Sequence, residues 1–194
     1  MIIIGLTGSI GMGKTETAKI FSNLGIPVYD ADASVHKIYQ SGKIGALAIK
    51  KLFPETIAAD GSVDREILSS IVVGNKTNIK RLEEIIHPLL KEDRLAFFEK
   101  NKNEKTVVLD IPLLLETKGE SQVDYVVVVS TSKNIQKQRV LERPNMTEDK
   151  FEKILLSQMP NQIKCKKADF VIDTSISVDD AKKQVLNILK EIES

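Results

Sequence analysis

Short apolar runs, separated by longer stretches of helical spacing, set the pattern of this chain. IIIGL (2–6), TVVLDI (106–111), DYVVVV (124–129) and ADFVID (168–173) are rich in β-branched residues and too short for helices. They predict parallel strands buried on both faces. IPVYD (26–30) predicts a fifth strand. After the first run, TETAKIFSNLG places Ala18, Ile20, Phe21 and Leu24 at helical spacing and stops at Gly25. Strands alternating with helices predict an α/β fold, a parallel five-stranded sheet flanked by helices.

Two long gaps interrupt this alternation. From 31 to 104 the pattern is helical, around 33–41, 44–53, 64–73 and 76–100. That is more helix than a crossover needs, so residues 31–103 are expected to form an inserted helical subdomain. Within it, IKRLEEIIHPLLKEDRLAFF carries His87-Pro88; Pro88 cannot donate to residue 84, and a kinked helix is expected. From 132 to 165 two helical patterns flank RPNMT, where Pro144 breaks the chain.

Composition narrows the classes. At 194 residues the chain suits one compact domain with room for an insertion. A formal net charge of +1 argues against a dedicated nucleic-acid binder, which would carry a basic excess. The single cysteine, Cys165, excludes an intramolecular disulfide and a cysteine metal cluster. No run approaches the length of a membrane-spanning helix, and the chain enters a core strand at once, so a cytoplasmic protein without a membrane partner is expected. Charge is uneven along the chain. Between Lys133 and Lys167 nine basic residues oppose four acidic ones. A mobile basic lid over residues 132–165 that closes on a triphosphate has this composition, and so has a solvated helical hairpin.

The chemistry starts at GSIGMGKT. Gly8, Gly13, Lys14 and Thr15 meet the pattern G-x-x-x-x-G-K-[ST] between a strand and a helix, the context of a phosphate-binding loop. Glycine lets the loop curl so that successive N–H groups point inward, and Gly11 adds freedom. Lys14 can reach the β- and γ-phosphates, and the Thr15 hydroxyl can bind Mg²⁺. The helix opening at Thr15-Glu16 points its partial positive charge at the loop. Met12 reads as packing. A nucleoside-triphosphate site follows, with residues 1–30, 104–131 and 166–194 as the nucleotide-binding core. GTPase signatures are missing: Leu113 stands where D-x-x-G needs glycine after Asp110, and NKTN (75–78) ends in Asn78.

A phosphotransferase fits best. Asp110, at the end of TVVLD, is a candidate Mg²⁺ ligand, directly or through water. Asp30 and Asp32 follow the strand IPVY, where ligands dock in open α/β sheets. In extended chain the two carboxylates share one side, and one of them can cap the next helix. Asp32, farther beyond the strand, is the better candidate base for an acceptor hydroxyl. Arg139 and Arg143, four apart on a helical pattern, can clamp β- and γ-oxygens. A kinase of another small acceptor and a non-catalytic nucleotide-binding module remain open at this point.

These segments resemble the dephospho-coenzyme A kinase family in order along nearly the whole chain. GLTGSIGMGKT is similar to its opening loop, and LGIPVYDAD to its second strand with paired aspartates. DGSVDR (60–65), His87-Pro88-Leu89 and LDIPLLLE (109–116) match its D-G-x-L-D-R, H-P-L and D-x-P-L-L-x-E segments, and QKQRVLER, SQMP and ADFVIDT lead through its lid to its last strand. The resemblance implies transfer of the ATP γ-phosphate to the 3′-hydroxyl of dephospho-coenzyme A, with ATP and Mg²⁺ required, and a monomer or weak homo-oligomer is expected. It implies that Asp32 acts at the hydroxyl, that Arg139 is the lid arginine, and that Gly8 to Glu16, including Ser9 and Met12, lie at ATP. It places Asp32, His36, Arg65, His87, Pro112 and Leu113 at the acceptor, and makes the helical insertion the coenzyme A domain. Ser9 replaces a common glycine, Met12 a common serine and His36 a common arginine. Asp173-Thr174 stands in place of Asp-Asn, a change that bears on adenine recognition.

Overall fold

A computed structural model describes residues 1–193. Its strands are β1 (Ile2–Thr7), β2 (Val28–Asp30), β3 (Thr106–Asp110), β4 (Tyr125–Ser130) and β5 (Phe170–Asp173), in the sheet order β2-β3-β1-β4-β5. β1 pairs in parallel with β3 and β4, and β4 with β5. The Val108 N–H donates to the Pro27 carbonyl at 2.9 Å, beside β2. The parallel α/β sheet expected from the apolar runs is therefore present, with ends shifted by one or two residues.

The run VVVV in β4 is buried throughout because both faces of the sheet are covered. Val127 and Val129 join Ile4, Leu6, Ile20, Phe21, Val185 and Ile188 in one cluster, which packs α1 (Lys14–Asn23) and α9 (Val178–Ile192). Val126 and Val128, pointing the other way, join Leu114, Leu115, Met159 and Cys165.

The chain divides into two compact units, Met1–Tyr29 together with the chain from Asn103 onward, and Asp30–Lys102. The second consists of α2 (Ala31–Ile38), α3 (Ile44–Leu52), α4 (Arg65–Val72) and α5 (Lys76–Lys100), around Tyr39, Ile49, Phe53, Leu68 and Ile86. Asp93 of α5 holds α2: its carboxylate accepts from Ser34 Oγ at 2.7 Å and from Lys37 Nζ at 2.9 Å. α5 continues through Pro88 as one helix of 25 residues.

The stretch 132–165 departs from expectation. It carries three helices where two were expected: α6 (Lys133–Leu141), α7 (Glu148–Ser157) and α8 (Asn161–Lys167). α8 is short, and its only fully buried side chain is a lysine, Lys164. Neither property produces an apolar period.

Candidate active site

β1 and β3 lie side by side, yet the chain leaves β1 toward β2 on one side and β3 toward β4 on the other. Such a reversal opens a crevice at the carboxyl ends of the strands. The loop after β1 and the residue ending β3, Asp110, both lie at this edge.

Gly11 and Gly13 carry φ of 78° and 93°, which side-chain-bearing residues rarely adopt. Gly8 is needed for space: a Cβ there would stand 2.4 Å from Val129 Cγ2. α1 begins directly after Gly13 without a side-chain cap, whereas Asp30, Asp64, Asn75, Ser132, Thr147 and Ser177 cap other helices. The first N–H groups of α1 are thus left for an anion, reinforced by the helix dipole.

Lys14 reaches back over the loop. Its Nζ meets Asp110 Oδ1 at 2.5 Å, and Asp110 is only 4% exposed. Thr15 and Glu16 are exposed on the first turn of α1. Met12 is buried; its thioether accepts the Thr131 N–H at 3.2 Å, as befits a packing residue. Ser9 is buried with a hydroxyl that has no hydrogen-bond partner among the described residues.

Two glutamines brace the loop, and sequence reasoning missed both. The Ile10 N–H donates to Gln158 Oε1 at 3.0 Å, and its carbonyl accepts from Gln136 Nε2 at 2.8 Å. No signal in the sequence marks either: Gln136 sits in the polar stretch QKQR of α6, and its burial is visible only in the fold. The segment after Asp110 is braced in the same way. The Pro112 carbonyl accepts from Thr7 Oγ1 at 2.9 Å and from Lys164 Nζ at 3.3 Å, and Lys164 pairs with Glu116 at 2.8 Å. Burial pushes the Glu116 carboxyl up, but hydrogen bonds from Lys164 and the Met159 N–H outweigh it and hold the group below the ordinary carboxylate range. Pro112 is half-buried and Leu113 exposed.

Arg139, on α6, donates through Nη1 to Thr174 Oγ1 at 2.9 Å and through Nη2 to the Thr174 carbonyl at 2.7 Å. Arg143 does not share its helix face. α6 ends at Leu141, and Arg143, preceding Pro144, lies exposed beyond the helix end.

In the other unit the two aspartates separate. Asp30 ends β2, and its Oδ1 accepts the Ala33 N–H at 2.9 Å, capping α2. Asp32 sits inside the first helical turn, so the shared side of an extended chain does not arise here. Its carboxylate is exposed and takes part in none of these hydrogen bonds. His36, four residues on, lies on the same helix face and is exposed. DGSVDR is a turn followed by a cap: Asp60 accepts from Ser62, Gly61 has φ 84°, and Asp64 accepts the N–H groups of Glu66 and Ile67. That sets Arg65 as the first residue of α4, where it lines a groove of about 700 Å³ with Glu66, Ser69, Ser70 and Val73. Burial pushes the Tyr39 phenol up, and the Arg65 charge works against that shift. His87 is exposed on α5.

The family model for dephospho-CoA kinase matches residues 2–180. A Bradyrhizobium diazoefficiens protein named dephospho-CoA kinase is 51% identical over 194 residues, 99% of this chain and 96% of its own. Among solved structures, a Thermus thermophilus protein superposes with a TM-score of 0.80 at 30% identity, covering 98% of this chain and 97% of that one. A dephospho-CoA kinase from Campylobacter jejuni gives a TM-score of 0.65 at 28% identity, with 98% and 96% covered. A phosphate loop on a parallel sheet, matched by one family model from its second residue to α9, makes this chain a member of the dephospho-CoA kinase family.

Proposed function

We propose that the protein transfers the γ-phosphoryl group of ATP to the 3′-hydroxyl of dephospho-coenzyme A, giving coenzyme A and ADP. The observation that carries this reading is Lys14, held at 2.5 Å from Asp110 over an uncapped helix start, in a chain of this family. The loop N–H groups and the first turn of α1 bind the phosphate oxygens. Lys14 moves from Asp110 toward the β- and γ-oxygens. Arg139 adds donors where charge gathers, and residues 132–165 close over the triphosphate as a lid.

The Thr15 hydroxyl and the Asp110 carboxylate are both oxygen donors, the type Mg²⁺ prefers. When bound there with ATP, Mg²⁺ neutralises charge on the transferring phosphoryl group.

Asp32 orients the acceptor hydroxyl and takes its proton. It is suited to this because Asp30 meets the capping demand of α2 and leaves the second carboxylate free of it. His36, Arg65, His87, Pro112 and Leu113 contact the acceptor. Removing a general base costs about 10²–10⁴-fold in rate. Asp32→Asn is therefore expected to lower kcat by about that factor while ATP binding, followed by calorimetry, stays intact. Near-parental turnover in this variant would refute the base assignment.

A further inference from the structure

We propose that Thr174 is a positioning residue for phosphoryl transfer: it holds the Arg139 guanidinium against the phosphate loop. The inference rests on the reading of Arg139 as a phosphate ligand and goes beyond it, because it gives Thr174 a part in the reaction that is exerted through Arg139.

Thr174 follows β5 and is 8% exposed. Its hydroxyl has two carbonyl acceptors in reach, Met12 inside the loop at 2.9 Å and Ser130 at 3.4 Å, and it accepts from Arg139 Nη1 at 2.9 Å. Met12 offers the shorter bond to the one proton, and with the proton directed there an oxygen lone pair faces Arg139. The Thr174 carbonyl takes Nη2 at 2.7 Å, and the Thr174 N–H is fixed by the Ser130 carbonyl at 2.9 Å. The guanidinium is thus gripped at two nitrogens by a residue anchored to β4 and to the loop. Of its five N–H donors, these contacts use two and leave three for phosphate oxygens.

The side chain also shapes the loop. A Cβ on Gly13 would stand 2.9 Å from Thr174 Oγ1 and 3.1 Å from Thr174 Cγ2. Thr174 therefore fills the space that glycine leaves open, directly before Lys14. One residue ties three parts of the phosphate site together: the loop carbonyl, the last loop glycine and the α6 arginine. A guanidinium held in place before ATP arrives needs no reorganisation when charge shifts in the transition state.

The test is a double-mutant cycle of Thr174→Val and Arg139→Ala, with steady-state kinetics for ATP and dephospho-coenzyme A. Thr174→Val removes the hydroxyl and keeps the shape and the backbone carbonyl. It is expected to lower kcat and kcat/KM for ATP together by about tenfold, the worth of one hydrogen bond to a charged group. Thr174→Ser, which keeps the hydroxyl, is expected to recover most of that loss. In the Arg139→Ala background Thr174→Val should cost clearly less, because only the bond to the Met12 carbonyl is then left to lose. An equal loss in both backgrounds would mean that Thr174 acts through general stability, and would overturn the proposal. So would parental kcat in Thr174→Val. Parental kcat in Arg139→Ala would overturn it differently, by removing Arg139 from the reaction while leaving the kinase assignment intact. If Thr174→Val does not fold, Thr174→Ala replaces it in the same cycle under the same criteria.

Discussion

Asp30 and Asp32 show how two identical side chains two positions apart acquire different work. The strand ends at Asp30 and the helix starts at Ala31, so the first carboxylate meets the free N–H of Ala33 and the second does not. Asp30→Ala is expected to cost about 1 kcal/mol of stability, as loss of a helix cap does, with little change in ATP binding. Chemical denaturation with a nucleotide titration checks this, and a stability equal to that of the parent would remove the capping role. The pair was legible as two carboxylates beyond a strand, one of them able to cap the next helix and Asp32 the candidate base; which of the two caps was not. Extended-chain alternation puts both on one side, and only the helix boundary, which lies within the uncertainty of any pattern, separates them. Thr174 was legible as a departure from the usual Asp-Asn, but its partners, Met12 and Arg139, are 162 and 35 positions away. No local pattern carries such contacts.

At the scale of elements, periodicity served best where one face is apolar and least where a charged residue is buried. α5 was expected over 76–100 and occupies Lys76–Lys100. α8 was missed because its inward residue is Lys164, 0% exposed, whose ammonium binds Glu116 and the Pro112 carbonyl. This pair ties α8 to the segment that follows Asp110. Glu116→Ala would leave Lys164 charged and buried without that partner, and a loss of about 3–5 kcal/mol is expected. The folded Glu116 carboxyl is held below its ordinary range, so its contribution is complete above the unfolded range and is lost as pH falls through the folded value. The stability gap between parent and variant should therefore be widest near neutrality and close in acid. Denaturant midpoints across that pH range test it, and a gap that widens in acid would contradict the pairing. α6 gives the complementary lesson. Spacing alone puts Arg143 on the face of Arg139, but α6 ends at Leu141, before Arg143 is reached.

For the whole molecule, the parallel sheet was legible because strands covered on both faces leave continuous apolar runs such as VVVV. The phosphate loop was legible because its chemistry demands glycine at positions fixed by backbone geometry and by close approach. The bracing of that loop by Gln136, Gln158 and Thr174 was not, since glutamine and threonine carry no positional signature until the fold brings them to it. No helix among the described residues is long and apolar enough to cross a membrane. The reading of this chain as a kinase for one acceptor is tested most directly by ADP release from Mg·ATP, with dephospho-coenzyme A, adenosine monophosphate and no acceptor run in parallel. Release only with dephospho-coenzyme A, accompanied by coenzyme A as product, is the expected result. Release with adenosine monophosphate alone, or ATP binding with no turnover on any acceptor, would contradict it.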